Sequence, residues 1–215
     1  MCRLIECKLC GSKDKKEILI EDRYYYCQNC ELIFIEKDSE PSLQQEYEVY
    51  QSHENTHENE GYVNMFKDFI NELLSEHLEE INKVLEYGCG PGPVLADILE
   101  NRGLDVTKYD PFFYPDVEFK KCKYDLITST EVFEHFQNPK EEIEKLIDLL
   151  NPNGYLAVMT SFHKGIEHFK DWWYRRDSTH ITFYNLKTFK YLEETYPIDI
   201  IKTDQKNSIL FKKAD

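Results

Sequence analysis

From Gly61 onward the apolar positions switch between two periods. The run "YVNMFKDFINELLSEHLEEI" places Val63, Phe66, Phe69, Ile70, Leu73, Leu74 and Leu78 at helical spacing. "KVLEYG" has the length and apolar character of a buried strand, and "PVLADILENRG" follows as a helix with a glycine stop. "LDVTKYD" and "KYDLITST" give a second and a third strand. "NPKEEIEKLIDLL" reads as a helix with Asn138 at its N-cap and Pro139 in its first turn. "NPNG" turns the chain into the strand "YLAVMTS". "NLKTFKYLEETY" is a helix capped by Asn185, and "IDIIKT" and "SILFKK" form a closing hairpin across "DQKN". Strands alternating with helices predict an α/β fold: a Rossmann-like, mostly parallel sheet flanked by helices, with an antiparallel C-terminal strand.

The first 37 residues follow a different pattern. Short β-like runs, "EILIE", "RYYYC" and "ELIFIE", surround Cys7-x-x-Cys10 and Cys27-x-x-Cys30, two pairs sixteen residues apart. That spacing suits four thiolates on a tetrahedral Zn2+, with Gly11 at the tight turn after the first pair. Residues 1–37 are therefore expected to be a small zinc ribbon held by Cys7, Cys10, Cys27 and Cys30. So small a module depends on its metal for stability, and four thiolates leave no open position for catalysis. Cys89 and Cys122 read as packing thiols and Cys2 as a bystander. Residues 38–60 are polar and acidic and read as a connecting segment and candidate active-site lid. Residues 61–215 form the main domain.

Composition narrows the functional classes. The chain has 215 residues, 41% of them hydrophobic, and a formal charge of −15. Such an acidic balance disfavours a nucleic-acid partner. No apolar run approaches the ~18 residues of a spanning helix, so a membrane role is not expected. An odd cysteine count without a secretory leader points to a reducing, cytoplasmic setting. Nothing in the pattern specifies an oligomeric state.

The turn "EYGCGPG" then sets the chemistry. A glycine-rich turn between a strand and a helix suits a ligand at the strand's carboxyl end. The dinucleotide fingerprint is G-x-G-x-x-G, whereas here the glycines run G-x-G-x-G, and Pro91 and Pro93 supply no N–H. A diphosphate would find few donors. Asp110 ends the second strand, 22 residues after Gly88, where a carboxylate can accept from ribose hydroxyls; a turn role before Pro111 is the alternative.

"VLEYGCGPG" resembles the first motif of class I S-adenosylmethionine-dependent methyltransferases. "YDLITSTEVFEH" resembles that family's fourth-strand region, and "LNPNGYLAVMT" its turn into the fifth strand, with Asn153 in place of a glycine. The resemblance covers roughly residues 61–215. It implies cofactor contacts at Glu86, Gly88, Cys89, Gly90 and Gly92, at Asp110 and Pro111, and at Thr130 and Glu131. It also implies that the segment before the first strand folds over the cofactor, with Tyr50 and Tyr62 as candidates. The interval from Asp110 to Tyr124 is short for the family's helix and third strand, which leaves the adenine contact unnamed, with "KKCK" around Cys122 the nearest candidate loop. With its ribbon, the chain resembles a bacterial group that includes sugar C-methyltransferases.

Methyl transfer from a sulfonium needs positioning, and a base where the acceptor must lose a proton. The segment "YEVYQSHENTHENEGY" offers Tyr50, His53, Asn55 and Tyr62. The segment "DWWYRRDSTHITFYN" offers Trp172, Trp173 and Tyr174 as pocket walls and Asp177 with His180 as a carboxylate-oriented base. His180 is the first candidate base and His53 the second, while His135 reads as structural. The expected function is methyl transfer to a small-molecule acceptor, such as a sugar nucleotide or another polar metabolite. The alternatives are an RNA or protein methyltransferase that docks through the ribbon, and a cofactor-binding regulatory protein without transfer activity.

Overall fold

The chain is described by a computed structural model covering residues 5–19, 23–36, 40–51 and 55–215. Its cysteine-bearing segment forms an antiparallel meander of β1 (Lys15–Leu19), β2 (Arg23–Cys27) and β3 (Ile33–Ile35). Helices α1 (Leu43–Gln51) and α2 (Glu60–Phe69) follow, the second continued by a π-helical turn at Ile70–Leu74. Next come β4 (Lys83–Tyr87), α3 (Val94–Glu100), β5 (Asp105–Tyr109), β6 (Tyr124–Thr130), α4 (Pro139–Leu149) and β7 (Leu150–Met159). The chain ends with α5 (Ile166–Asp171), β8 (Thr182–Phe183), α6 (Leu186–Thr195), β9 (Ile198–Thr203) and β10 (Ser208–Lys213).

Six strands make the main sheet in the order β5-β4-β6-β7-β10-β9. The first four run parallel, and β10 is antiparallel to both its neighbours. Near-continuous apolar runs bury both faces, as a parallel sheet between helices requires. Val84, Leu126, Ala157 and Leu210 meet Phe66, Ile70, Leu73 and Leu95 on one face. Leu85, Ile127, Leu156 and Phe211 meet Leu146, Ile147, Phe189 and Leu192 on the other. The parallel register sets Tyr87 beside Tyr109 and Thr130 beside Met159, so the carboxyl ends of these strands lie along one edge. No helix among the described residues is long and apolar enough to cross a membrane.

The cysteine segment shares a core with this sheet. Leu9, Cys27, Cys30, Leu32 and Phe34 belong to the same apolar cluster as Leu156, Tyr184 and Phe189. Strand β8 adds to β3, pairing Phe183 with Ile33 and Thr182 with Phe34. Glu31 ties the two together. Its backbone is left-handed (φ 61°), its carbonyl accepts from His163 Nε2 (3.0 Å), and its carboxylate accepts from Asn185 Nδ2 (2.7 Å) and Lys187 Nζ (3.0 Å).

Several local expectations meet corrections. The polar segment after residue 38 contains helix α1, whose Tyr47 and Tyr50 rings lie against Phe112. Between Asp110 and Tyr124 there is only an Asp110–Tyr114 bridge and a 3-10 turn at Val117–Lys121, so the sheet ends at β5. Asn138 occupies the N-cap of α4 but makes no side-chain cap bond, and Pro139 does lie in the first turn. The NPNG stretch lies inside β7 rather than before it, with Asn153 (φ 62°) in an irregularity between the Leu150 and Tyr155 pairings with β6, whereas Asn185 caps α6 as expected, in a reciprocal box with Thr188.

Asn185→Ala removes both the cap of α6 and the tie to Glu31. It should lower unfolding free energy by about 1–2 kcal/mol, read as a shifted denaturant midpoint; an unchanged midpoint would contradict the double role.

Candidate functional site

The glycine turn after β4 is built by close approaches. Gly88 (φ 84°) and Gly90 (φ 64°) adopt left-handed backbone. A Cβ at Gly88 would lie 2.3 Å from Val132 Cγ2, and one at Gly92 would lie 1.7 Å from the Asn55 carbonyl oxygen. Gly88 and Cys89 donate their N–H groups to the Tyr109 carbonyl (2.7 and 3.1 Å). Gly90 N–H donates to Asp110 Oδ2 (3.1 Å), while Asp110 Oδ1 accepts from Phe112 and Phe113 (2.8 and 3.1 Å). The turn's first three N–H groups are thus spent inside the protein, and Pro91 and Pro93 have none. Of the roughly four acceptor positions on a carboxylate, Asp110 keeps about one for a ligand, where a ribose diol would use two.

A cavity of ≈ 710 Å³ opens beside this turn. Its walls include Tyr50, Asn55 and Tyr62 from the segment before β4, and Glu86, Gly88, Cys89 and Gly90 from β4 and its turn. Asp110, Pro111, Thr130, Glu131, Asp177 and His180 are further sequence candidates on its wall. Gly92 lies behind the wall and seats Asn55. His53 lies outside the described residues. The charge of the lining is one-sided: Glu46, Glu86, Asp110, Glu131, Glu142 and Asp177 face a single lysine, Lys145, which is paired with Glu142 (2.5 Å). Glu86 Oε2 is buried without a hydrogen-bond partner. Burial pushes the Glu86 carboxyl up to about 8, against the lowering influence of the Ala96 N–H.

At the far end, Tyr174, Glu131, Glu134, His135 and His180 converge. Tyr174 Oη lies 2.6 Å from Glu134 Oε1 and 2.9 Å from Glu131 Oε2. Glu131 holds a left-handed backbone (φ 53°), fixed by its N–H to the Met159 carbonyl (2.8 Å). Burial, then the neighbouring Glu134 charge, pushes the Glu131 carboxyl up to about 8. Burial, then His180, pushes His135 down to about 4. His180 Nδ1 donates to the Tyr174 carbonyl (2.8 Å), so the backbone orients this ring. Asp177 Oδ2 stands 3.8 Å from His180 Nε2, while Asp177 Oδ1 accepts from the Thr179 N–H and hydroxyl (2.9 and 2.6 Å). The cysteine module braces this end: Ile35 N–H donates to the Ile181 carbonyl (3.0 Å), and Ile181 N–H to the Glu134 carbonyl (2.8 Å).

Two expected walls divide. Trp173 and Tyr174 line the cavity, but Trp172 turns into the core against Phe169 and Phe183. The loop around Cys122 lies elsewhere, lining a separate groove with Lys120 and Lys123, because Phe119 is buried against Tyr87 and Tyr109. The cavity is walled instead by Phe112, Phe113, Phe136 and Gln137, which the sequence reading did not single out. The aromatic pair directly after Asp110-Pro111 was the available signal.

The four thiol sulfurs of Cys7, Cys10, Cys27 and Cys30 lie within 4.8 Å of one another, with Cys7–Cys30 at 3.6 Å and Cys10–Cys27 at 3.4 Å. A tetrahedron with arms of about 2.3 Å has edges of about 3.8 Å, so the cluster fits a four-thiolate metal after small adjustments. Gly11 N–H to Cys7 O and Glu31 N–H to Cys27 O repeat one knuckle geometry on both pairs (2.9 and 3.0 Å).

Comparison with known proteins agrees with this architecture. A family described as "Methyltransferase domain" matches residues 56–196. The ubiquinone biosynthesis O-methyltransferase of Rickettsia canadensis (strain McKiel) is 26% identical over 117 residues, covering 43% of this chain and 49% of that protein. The chain therefore spans about half the length of the curated relative it matches. Human N-acetylserotonin methyltransferase, solved in complex with S-adenosylmethionine, superposes with TM-score 0.55 at 15% identity, covering 81% of this chain and 60% of that one. A Pyrococcus horikoshii OT3 protein superposes with TM-score 0.54 at 13% identity, covering 78% and 99%. These two structures share the fold.

Gly92→Ala should displace Asn55 and open the cover of the cavity. The expected sign is faster proteolytic cleavage within residues 55–60 at near-normal melting temperature; unchanged cleavage would show that Asn55 is not seated on Gly92.

Proposed function

We propose that this chain, which belongs to the family described as Methyltransferase domain, transfers a methyl group from S-adenosylmethionine to a small-molecule acceptor. One observation carries the reading: the cavity at the glycine turn is lined mainly by acidic groups, and the turn's first three N–H groups are spent inside the protein. A diphosphate would meet carboxylates and spent N–H groups. A ligand with a sulfonium and an ammonium would meet counter-charges, and the unpartnered oxygen of Glu86 would gain a donor.

S-adenosylmethionine supplies an electrophilic methyl whose departure leaves a neutral thioether, so no general acid is required. The chain's own residues then have three tasks. Gly88 and Gly90 let the backbone approach the ligand without side chains, and Glu86 answers its positive charge. Asp110 anchors the ribose with its remaining acceptor position while holding the turn through three N–H groups. Tyr50, Asn55 and Tyr62 cover the site and exclude water. The acceptor occupies the end walled by Trp173, His135 and His180, and His180 acts on it through Nε2, the nitrogen opposite the backbone-bonded Nδ1.

The four cysteines hold a structural Zn2+ in the same reading. It stabilises the strands that brace Ile181 against Glu134 and leaves no ligand position for substrate.

Calorimetry should show uptake of S-adenosylhomocysteine and none of a nicotinamide dinucleotide; the reverse result would reject the proposal. Asp110→Ala should weaken that uptake by about 1.5–3 kcal/mol. A loss of melting temperature with unchanged affinity would instead confine Asp110 to the turn. Elemental analysis should find about one zinc per chain, falling in Cys27→Ser together with thermal stability; a metal-free wild type that melts normally would remove zinc from the scheme.

A further inference from the structure

We propose that the methyl acceptor is an amine on an apolar skeleton, and that Glu46 of helix α1 binds its ammonium in the part of the cavity walled by Trp173. The methylation of that amine rests on the methyltransfer reading; its binding does not.

Helix α1 buries one residue, and that residue is a carboxyl. Glu46 is 6% exposed, on a helix whose other side chains are exposed or half-buried. A carboxyl in such a place is costly unless something answers it. Burial, then the neighbouring Glu40 charge, pushes it up to about 7, and among the described residues neither a hydrogen-bond donor nor a cation offsets them. Glu40 has its own partner in Lys8 of the cysteine segment (2.5 Å), and Lys145 in the cavity lining is held by Glu142. Glu46 lines the cavity, so a ligand there has an approach to it.

The neighbours of Glu46 place it at the acceptor end. Tyr50 stands one turn further along α1 in the same lining, and its ring is T-shaped against His135 (5.2 Å). Burial, then the Glu46 charge, pushes the Tyr50 hydroxyl up, and Glu134 and Asp177 add to the effect. For Tyr62 the causes are burial, then Glu86 and Glu131. The two tyrosines divide the lining, with Glu86 on the cofactor's side and Glu46 on the acceptor's.

The apolar half of the site is on the same wall. Trp173 is 67% exposed, as is Leu43, one turn before Glu46, and both line the cavity. An indole face is the best aromatic partner for a cation. A desolvated carboxyl with exposed indole and aliphatic surface in one lining fits an ammonium carried on an apolar body. A hydroxyl would give Glu46 a donor without a charge, and a phosphate would repel it.

An ammonium must lose a proton before its nitrogen can attack. At about 10 its acidity is within reach of the Glu46 carboxyl, and an aliphatic alcohol is far weaker. The proton passes to the Glu46 carboxylate and on to solvent. The freed lone pair forms the bond to the methyl carbon as the carbon–sulfur bond breaks and leaves its electron pair on sulfur. The product nitrogen takes up the positive charge that the sulfonium gives up. Glu46 thereby joins His180 as a group acting on the acceptor.

The test is calorimetry on the full chain with benzylamine and benzyl alcohol, two probes of nearly equal shape, in excess S-adenosylhomocysteine whose own uptake is measured first. Wild type should bind the amine roughly tenfold or more tighter than the alcohol, and Glu46→Gln should bring the two within about twofold with S-adenosylhomocysteine affinity kept. Trp173→Leu should weaken the amine, and the surface control Glu118→Gln should leave every affinity unchanged. Equal binding of the two probes by wild type, or binding of neither at about 10 mM, would overturn the proposal. So would a Glu46→Gln protein that keeps the amine preference and loses S-adenosylhomocysteine, since Glu46 would then serve the cofactor. If Glu46→Gln does not fold, Glu46→Leu replaces it under the same criterion. Wild type that prefers the amine but takes up no S-adenosylhomocysteine would retain the amine site and reject the methyltransfer reading.

Discussion

A buried carboxyl oxygen with no donor is costly, and among the described residues Glu86 Oε2 and Glu134 Oε2 are both in that position. Glu86 lines the cavity at the glycine turn, while the fully buried Glu134 lies behind its far end, bonded to the lining residue Tyr174. Each such group costs on the order of 1–3 kcal/mol until something supplies a donor or a positive charge. Neither oxygen has a hydrogen-bond partner among the described residues, and Lys108, bonded to Asp97 and Glu100, reaches Glu86 only through its field. Burial holds the Glu86 carboxyl up to about 8, so a cation entering the site both supplies the missing partner and favours ionisation of the carboxyl.

The surrounding structure serves that constraint from two sides. On the cofactor side, the strands deliver the glycine turn to the sheet edge, Asp110 stitches the turn, and Gly92 makes room for the Asn55 backbone. On the acceptor side, the loop bearing His180 has no long strand of its own. It is held by β3 through Ile35 and Ile181, and by Thr182 Oγ1 bonding the Phe133 carbonyl (2.9 Å). The cysteine knuckle at Glu31 is locked to α6 by Asn185 and Lys187. A module that looks accessory in the sequence thus fixes the distance between His180 and Glu134.

What the sequence disclosed follows from which interactions are local. Hydrophobic period, caps and turn residues located the main strands and helices, since these depend on neighbours within a few positions. The glycine turn, Asp110 and the cysteine pairs were legible because their spacing is itself the chemistry. Helix α1 was hidden because its anchors, Phe112 and Phe113, are about sixty residues away and its own sequence is polar. Trp172 and Trp173 look alike in sequence, yet one is 8% exposed and the other 67%, a choice made by packing against Phe169 and Phe183. The pairing of β8 with β3, and with it the convergence of His135 and His180, required contacts across roughly 150 residues.

The claim that the cavity's acidic lining, with Glu86 at its buried end, selects a cationic ligand is tested most directly by comparing two ligands of nearly equal shape. One is S-adenosylhomocysteine, with a neutral thioether; the other is an analogue bearing an amine, protonated, in place of the sulfonium. Tighter binding of the cationic analogue, with the difference shrinking in Glu86→Gln, is the predicted result. Equal binding of the two, or a preference for the neutral ligand that Glu86→Gln leaves unchanged, would contradict it.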